Sequence, residues 1–218
     1  MATNTGQVRK LLYDGAPEAG FDLGGCRVDL LMDFVEELLS ANQRLNLTRV
    51  TEPIEIVDSL LIDSMVPGHW MPRQARVLDL GTGAGFPGIP LKIARPDLSL
   101  TLVDSKRKKI NFVRYAIRQL GLENIEAVQS RAEDLAEETY RFDVVISKAV
   151  ASVRQLYRLA APLLKENGRL IAMKGQGYRT ELDDENLADV LDAENVQMEI
   201  QSYRLPNLDV ERTLLILK

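Results

Sequence analysis

The stretch VLDLGTGAGFPGIPLKIARP, Val77 to Pro96, decides the fold. Val77, Leu78 and Leu80 form the short apolar run expected of a parallel strand buried on both faces. Gly81, Gly83 and Gly85 follow. Glycine lets the backbone take positive φ and lets a ligand approach with no Cβ in the way. A helix then starts from Gly88, with its positive end directed at whatever fills the turn. Next comes LSLTLVD, a second strand ending on Asp104. A glycine turn at one strand end and a carboxylate at the next form a nucleotide-binding crevice.

The turn admits two ligand classes. Read from Gly81 it is G-x-G-x-G, common in S-adenosylmethionine sites. Read from Gly83 it is G-x-G-x-x-G ending on Gly88, the dinucleotide fingerprint. Asp104 does not choose between them, because an acid there can hold ribose hydroxyls in either class. Three later segments bear on the choice. Arg131, Ala132, Glu133 and Asp134 follow a third strand, IEAVQS, where a polar pair can grip an adenine edge. FDVVISKAV sets Ser147 and Lys148 just after a fourth strand, where the reacting end of a cofactor would lie. APLLKENGRLIAMKG reads as helix, turn and fifth strand, an order familiar from class I methyltransferases.

With these segments in view, the chain closely resembles the bacterial small-subunit (16S) ribosomal RNA guanine-N7 methyltransferases, the glucose-inhibited division protein B family. The resemblance runs from about Asp29 to Lys218. Its specific marks are Asn46-Leu47-Thr48, Asp58-Ser59-Leu60, the GTGAGFPGIPL turn, Asp104-Ser105 with Lys108-Lys109, and FDVVISKAVA. The two prolines of Gly85-Phe86-Pro87-Gly88-Ile89-Pro90 make that turn more specific than bare glycines. Two positions depart from the pattern. Lys148 stands where members often have arginine, so a flat bidentate fork becomes a point charge. Glu55 stands where members often have histidine, and no role is assigned to it.

The resemblance implies an α/β, Rossmann-like class I S-adenosylmethionine-dependent methyltransferase fold: a mostly parallel sheet with an antiparallel last strand, plus an N-terminal helical extension. It implies methyl transfer from S-adenosyl-L-methionine to guanine N7 in 16S ribosomal RNA, presented as RNA or in the small ribosomal subunit. Gly81, Gly83 and Gly85 would give the methionine end room, and Phe86 would pack on the cofactor or close that wall. Asp104 would accept both ribose hydroxyls, and Ala132 and Glu133 would border the adenine. Lys148 would lie near the methyl-transfer end, where a cation can contact phosphate or guanine O6. No general base is expected, because guanine N7 carries a lone pair and no proton. Tyr178 is a candidate for stacking on the target base. The rival readings are a methyltransferase for protein or a small molecule, a nicotinamide-dependent oxidoreductase, and a non-catalytic nucleotide- or RNA-binding module.

Composition narrows the setting. The chain has 218 residues, enough for one substantial domain and an extension, and is 45% apolar and 27% charged, ordinary for a globular protein. No apolar run is long enough to span a bilayer, and MATNTGQVRK lacks the apolar core of a signal peptide. A single cysteine, Cys26, forms no internal disulfide and suits a reducing cytoplasm. No metal-ligand cluster is visible, and the one histidine, His69, falls in a loop before the first strand. A net charge of −5 argues against a sequence-blind nucleic-acid coat. Lys106, Arg107, Lys108 and Lys109 nevertheless cluster at the crevice mouth, with Arg114, Arg118, Arg154 and Arg158 beyond. Nothing demands more than a monomer.

Periodicity gives the organisation. A short helix is expected near Val8–Tyr13, then an amphipathic helix from Asp29 to near Asn42. Another covers Glu52–Ser64, with Thr51 as cap and Pro53 in its first turn. Asn46 and Thr48 lie between these helices, as turn residues or near the substrate. Residues 1–72 are read as a helical cap and 73–218 as the core. Strands at 76–80, 99–103, 125–129, 142–147 and 169–174 alternate with helices at 88 onward, 106–120 and 153–164, which means a parallel sheet. Gly121 closes the second core helix. A helix at 180–194 precedes a hairpin-like pair, 197–205 and 213–217.

Overall fold

Apolar runs bounded by turns become the strands of a single sheet in the computed structural model, which describes residues 5–135, 141–148, 151–175, 177–184 and 187–218. Ala149 and Val150 of FDVVISKAVA, residue 176 of the KGQGYR loop, and residues 185–186 of the expected last helix lie outside the described residues. The strands are Arg76–Leu80 (β1), Ser99–Asp104 (β2), Ile125–Gln129 (β3), Phe142–Lys148 (β4), Leu164–Lys174 (β5), Met198–Leu205 (β6) and Val210–Leu217 (β7). Their order is β3-β2-β1-β4-β5-β7-β6. The first five are parallel, and β7 lies antiparallel between β5 and β6. The antiparallel insertion implied by the resemblance is therefore present.

The helices are Thr5–Glu18 (α1), Gly24–Leu45 (α2), Pro53–Glu55 (α3), Asp63–Met65 (α4), Gly88–Ala94 (α5), Arg107–Gln119 (α6), Ala132–Leu135 (α7), Val153–Ala160 (α8), Tyr178–Asp184 (α9) and Leu187–Ala193 (α10). Side chains alternate across each strand, so two apolar cores form. One gathers Leu12, Phe34, Leu61, Ile89, Leu102 and Val113 from α1, α2, the 53–65 segment, α5, β2 and α6. The other gathers Leu78, Val145, Leu156, Leu191 and Leu215 from β1, β4, α8, α10 and β7.

The cap helices are longer than periodicity suggested. Val8, Leu12 and Ala16 repeat at i, i+4 and i+8 and are all buried, which carries α1 to Glu18. Val28 joins the buried stripe of α2, and Asn46 ends that helix in the left-handed region at φ 52°. The Glu52–Ser64 helix is composite. Glu52, not Thr51, stands at its start, with Pro53 at the first helical position. Ile56–Ile62 between α3 and α4 is a π-helix. Five residues along an α-helix turn the side chain by about 140°. The wider i→i+5 turn makes that offset much smaller. Asp58 and Asp63 are spaced by five, and the Asp63 N–H donates to the Asp58 carbonyl. Both side chains are buried, and both engage the β6–β7 hairpin.

Asp58 clasps the hairpin turn. Its Oδ1 accepts the Asn207 side-chain amide at 2.6 Å, and its Oδ2 accepts the Asn207 and Leu208 N–H groups at 2.8 and 2.7 Å. Hydrogen bonds to an ionised group are the stronger kind. Asp58→Ala is expected to lower stability by about 3 kcal/mol, read from urea unfolding, because it strands these donors. A loss within about 0.5 kcal/mol, the ordinary surface range, would remove Asp58 as a clasp.

Candidate active site at the strand ends

The strand order decides what meets at the carboxyl edge of the sheet. Four adjacent parallel strands, β3, β2, β1 and β4, end side by side. Leu80 pairs with Val103, and Asp104 pairs with Gln129. A crevice of about 860 Å³ runs along these ends. Ser130 to Glu133 follow β3, Asp104 ends β2, Gly81 to Ala84 follow β1, and Lys148 ends β4; all line it. Thr48 from the cap and Phe86 from the turn close its side.

The glycine turn is pinned by backbone bonds. The Val103 carbonyl accepts the N–H groups of Gly81 and Thr82, at 2.8 and 2.9 Å. Gly83 has φ +60°, and its N–H donates to Asp104 Oδ2 at 3.0 Å. Asp104 Oδ1 accepts the Lys106 N–H at 2.8 Å, and Lys109 Nζ stands 3.9 Å from Oδ2. A carboxylate offers about four acceptor positions, so both oxygens retain capacity for a diol.

Gly85 does not line the crevice. Its φ is +98°, and a Cβ there would stand 2.6 Å from Ile89 Cδ1, so its constraint is packing against α5. The amino end of α5 is also not offered to a ligand. The Gly88 N–H donates to Asp79 Oδ2 at 2.9 Å. Asp79 is fully buried and was not singled out in the sequence. Its acid on an apolar strand was the available signal. Its Oδ1 and the buried Thr82 Oγ1 make no hydrogen bond of ordinary geometry within the protein. Burial pushes the Asp79 carboxyl up to about 7, against smaller downward pulls from Thr82, the Gly88 N–H and Lys148.

The remaining residues divide. Phe86 lines the crevice and packs on Phe34 of α2, ring centroids 5.3 Å apart. Ala132 and Glu133 open α7 at the far end. Ser147 is buried and donates to the Leu80 carbonyl at 2.8 Å, which ties β4 to β1 rather than facing a ligand. Lys148 is no free surface lysine: its Nζ lies 2.8 Å from Asp63 Oδ2 and donates to the Ser59 carbonyl. Tyr178 is buried in the second core and offers no open ring for base stacking. His69 stacks on Phe21 away from the crevice. Thr48 lines the crevice, and Asn42 Oδ1 accepts its N–H. Lys106, Arg107 and Lys108 are exposed beside the mouth. Among the described residues no cluster suits a metal ion, and no helix is long and apolar enough to cross a membrane.

S-adenosylmethionine fits this arrangement. The acid is held facing the crevice with spare lone pairs, and Gly83 has no Cβ, so the turn presents backbone there; a Cβ at that place would stand 3.6 Å from Lys109 Nζ.

Comparisons with known proteins bear on the fold and the family. A family model described as GidB, rRNA small subunit methyltransferase G, matches residues 27–207. A ribosomal RNA small subunit methyltransferase G from Geobacter sp. (strain M21) is 38% identical over 96% of this chain and 96% of its own length. The protein of that name from Alkaliphilus metalliredigens is 35% identical over 96% of this chain and 90% of its own. Among solved structures, cofactor-bound Rv0187 from MTB superposes with TM-score 0.58 at 21% identity, covering 84% of this chain and 88% of that one. The ribosomal protein L11 methylase from Lactobacillus delbrueckii subsp. bulgaricus gives 0.55 at 18% identity, covering 72% and 77%. These structures share the fold.

The raised Asp79 carboxyl predicts a pH dependence. Its folded value lies above the unfolded 3.8, so its contribution is full below about pH 4 and is lost as pH rises to about 7. The loss is on the order of 4 kcal/mol. Asp79→Asn keeps an acceptor for Gly88 and does not titrate. Urea unfolding from pH 4 to 8 is expected to show a shallower decline in the variant; parallel profiles would refute the assignment.

Proposed function

The chain belongs to the GidB family, rRNA small subunit methyltransferase G, and from that premise we propose how its crevice transfers a methyl group to guanine N7 of 16S ribosomal RNA. The observation that carries the reading is the row of Glu133, Asp104, the glycine turn and Lys148 along four neighbouring strand ends. Family membership disfavours a protein or small-molecule target and a non-catalytic role.

Bound S-adenosylmethionine supplies an electrophilic methyl group on sulfur. Asp104 accepts the ribose hydroxyls, while Ala132 and Glu133 border the adenine. Gly81 and Gly83 leave backbone facing the methionine portion, and Phe86 closes that wall. Gly85 acts indirectly, by holding the turn against α5. Guanine N7 has an in-plane lone pair and no proton, so the chain needs no general base. Its contribution is alignment of nucleophile and methyl group, which is worth several orders of magnitude in rate. Lys148 faces the acceptor edge of the base, where guanine presents O6 and adenine an amino group. The exposed Lys106, Arg107 and Lys108 meet the RNA backbone. One copy in the cytoplasm suffices for this chemistry. The cap, 1–72, supplies Thr48 and the anchor of Lys148 to the core, 73–218.

Mass mapping of nucleosides in small-subunit ribosomal RNA from cells lacking this protein is expected to show loss of one 7-methylguanosine. An unchanged map would overturn the reading. Asp104→Ala is expected to weaken S-adenosylhomocysteine binding by about 10- to 100-fold in calorimetry, the scale of lost hydrogen bonds to a charged group. Unchanged affinity would refute the ribose assignment.

A further inference from the structure

Lys148 is held by a carboxylate that no reading of the crevice includes. A lysine at a strand end has a flexible four-carbon stem and three N–H donors. Its Nζ forms an ion pair with Asp63 Oδ2 at 2.8 Å and donates to the Ser59 carbonyl. These two contacts fix the position of the ammonium at the crevice. Lys148 borders both the crevice and a second cavity of about 280 Å³, which Ser59, Asp63, Met173, Lys174 and Arg212 also line.

Asp63 is itself fixed. Its side chain is only 4% exposed. Tyr203 donates its hydroxyl to Asp63 Oδ1 at 2.6 Å, and Arg212 Nε stands 3.8 Å away. Tyr203 and Arg212 face each other across β6 and β7. One carboxylate therefore joins the cap, the end of β4 and the hairpin. Burying a carboxylate costs desolvation, which these partners offset only while their geometry is kept.

We propose that Asp63 is a positioning residue: it aims Lys148 so that an N–H of the ammonium meets the O6 acceptor of the target guanine. The inference rests on the role given to Lys148 above. The geometry gives the pair two effects. A fixed donor favours a base with an acceptor at that place and opposes adenine, which presents a donor there. Asp63 also offsets the ammonium charge, so the cationic purine created by N7 methylation meets a neutralised contact instead of a bare cation.

The test is a double-mutant cycle on single-turnover methyl transfer, with saturating small subunits purified from cells lacking the enzyme. Asp63→Asn keeps an acceptor for Tyr203 and removes the charge that holds Lys148. It is expected to slow transfer about 10- to 100-fold, the scale of a small misplacement, with S-adenosylhomocysteine affinity unchanged. In a Lys148→Met background, itself slow, the same change is expected to alter the rate by less than about twofold, because coupled residues are not additive. Equal slowing in both backgrounds would overturn the inference and leave the Lys148 role standing. Normal turnover by Lys148→Met alone would overturn both. Should Asp63→Asn fail to fold, Tyr203→Phe frees the carboxylate more gently. It is expected to slow transfer only where Lys148 is present, and slowing in both backgrounds would again sink the inference.

Discussion

The Val103 carbonyl accepts two successive N–H groups, from Gly81 and Thr82, and the site depends on that bond pair. It lays the glycine turn across the end of the neighbouring strand. Asp104, the next residue of β2, then meets the Gly83 N–H, and its second oxygen meets the Lys106 N–H. The carboxylate is oriented by backbone donors on either side of it, the Gly83 N–H from the turn and the Lys106 N–H from its own chain. Glycine is favoured at position 83 because φ is +60° there. A turn fixed in this way presents a preformed surface to a ligand, so little ordering entropy remains to be lost on binding.

Three buried carboxylates then join the parts of the molecule. Asp79 holds the first residue of α5, Asp58 holds the hairpin turn, and Asp63 holds Lys148 and Tyr203. Burial of charge is unfavourable unless hydrogen bonds and opposite charge offset it. The three differ in how far this is met. Asp58 accepts three donors, and Asp63 has a lysine, a phenol and a distant guanidinium. Asp79 has no ion-pair partner among the described residues, and burial pushes its carboxyl up. Burial and the adjacent Asp63 carboxylate push the Tyr203 phenol strongly upward too, so it remains a hydrogen-bond donor at all ordinary pH values.

The sequence disclosed what is local and withheld what is long-range. Strand β1, the glycine turn, the start of α5 and the strand β3 were legible because apolar runs and glycines are read within a few residues. Gly81, Gly83, Phe86, Asp104, Ala132, Glu133 and Lys148 do meet at one crevice because parallel strands bring their carboxyl ends together. The first residues of β5, Leu164 to Gly168, were not legible: KENG is polar, and Leu164 becomes strand only by pairing with Phe142. The π-helix was invisible because its apolar positions Val57, Leu60 and Leu61 fit an ordinary helix equally well. Helical spacing gives Asp58 and Asp63 no shared role, and Asp58 stands out only within the Asp58-Ser59-Leu60 mark. Their meaning depends on partners about 140 residues away in the chain, a separation no local pattern encodes.

The antiparallel direction of β7 has a chemical consequence. Parallel strands deliver their last residues to the functional edge of a sheet. An antiparallel strand delivers its first. Thr213 near the start of β7 pairs with Lys174 at the end of β5, so Arg212 arrives at the same edge as Lys148. Strand β6 runs opposite to β7, so Tyr203 near its end arrives there as well, directly across from Arg212. The hairpin turn that follows falls within reach of Asp58. Inserted in the parallel sense, the strand would carry Arg212 to the far edge and leave Asp63 without its hydrogen-bonding phenol. The reversed hairpin thus completes, from the end of the chain, a charge network that the cap begins near its start and that β4 supplies from the middle. A methyl transfer that needs no proton removed gains its rate from alignment, and here alignment is a property of three distant segments closing on one carboxylate.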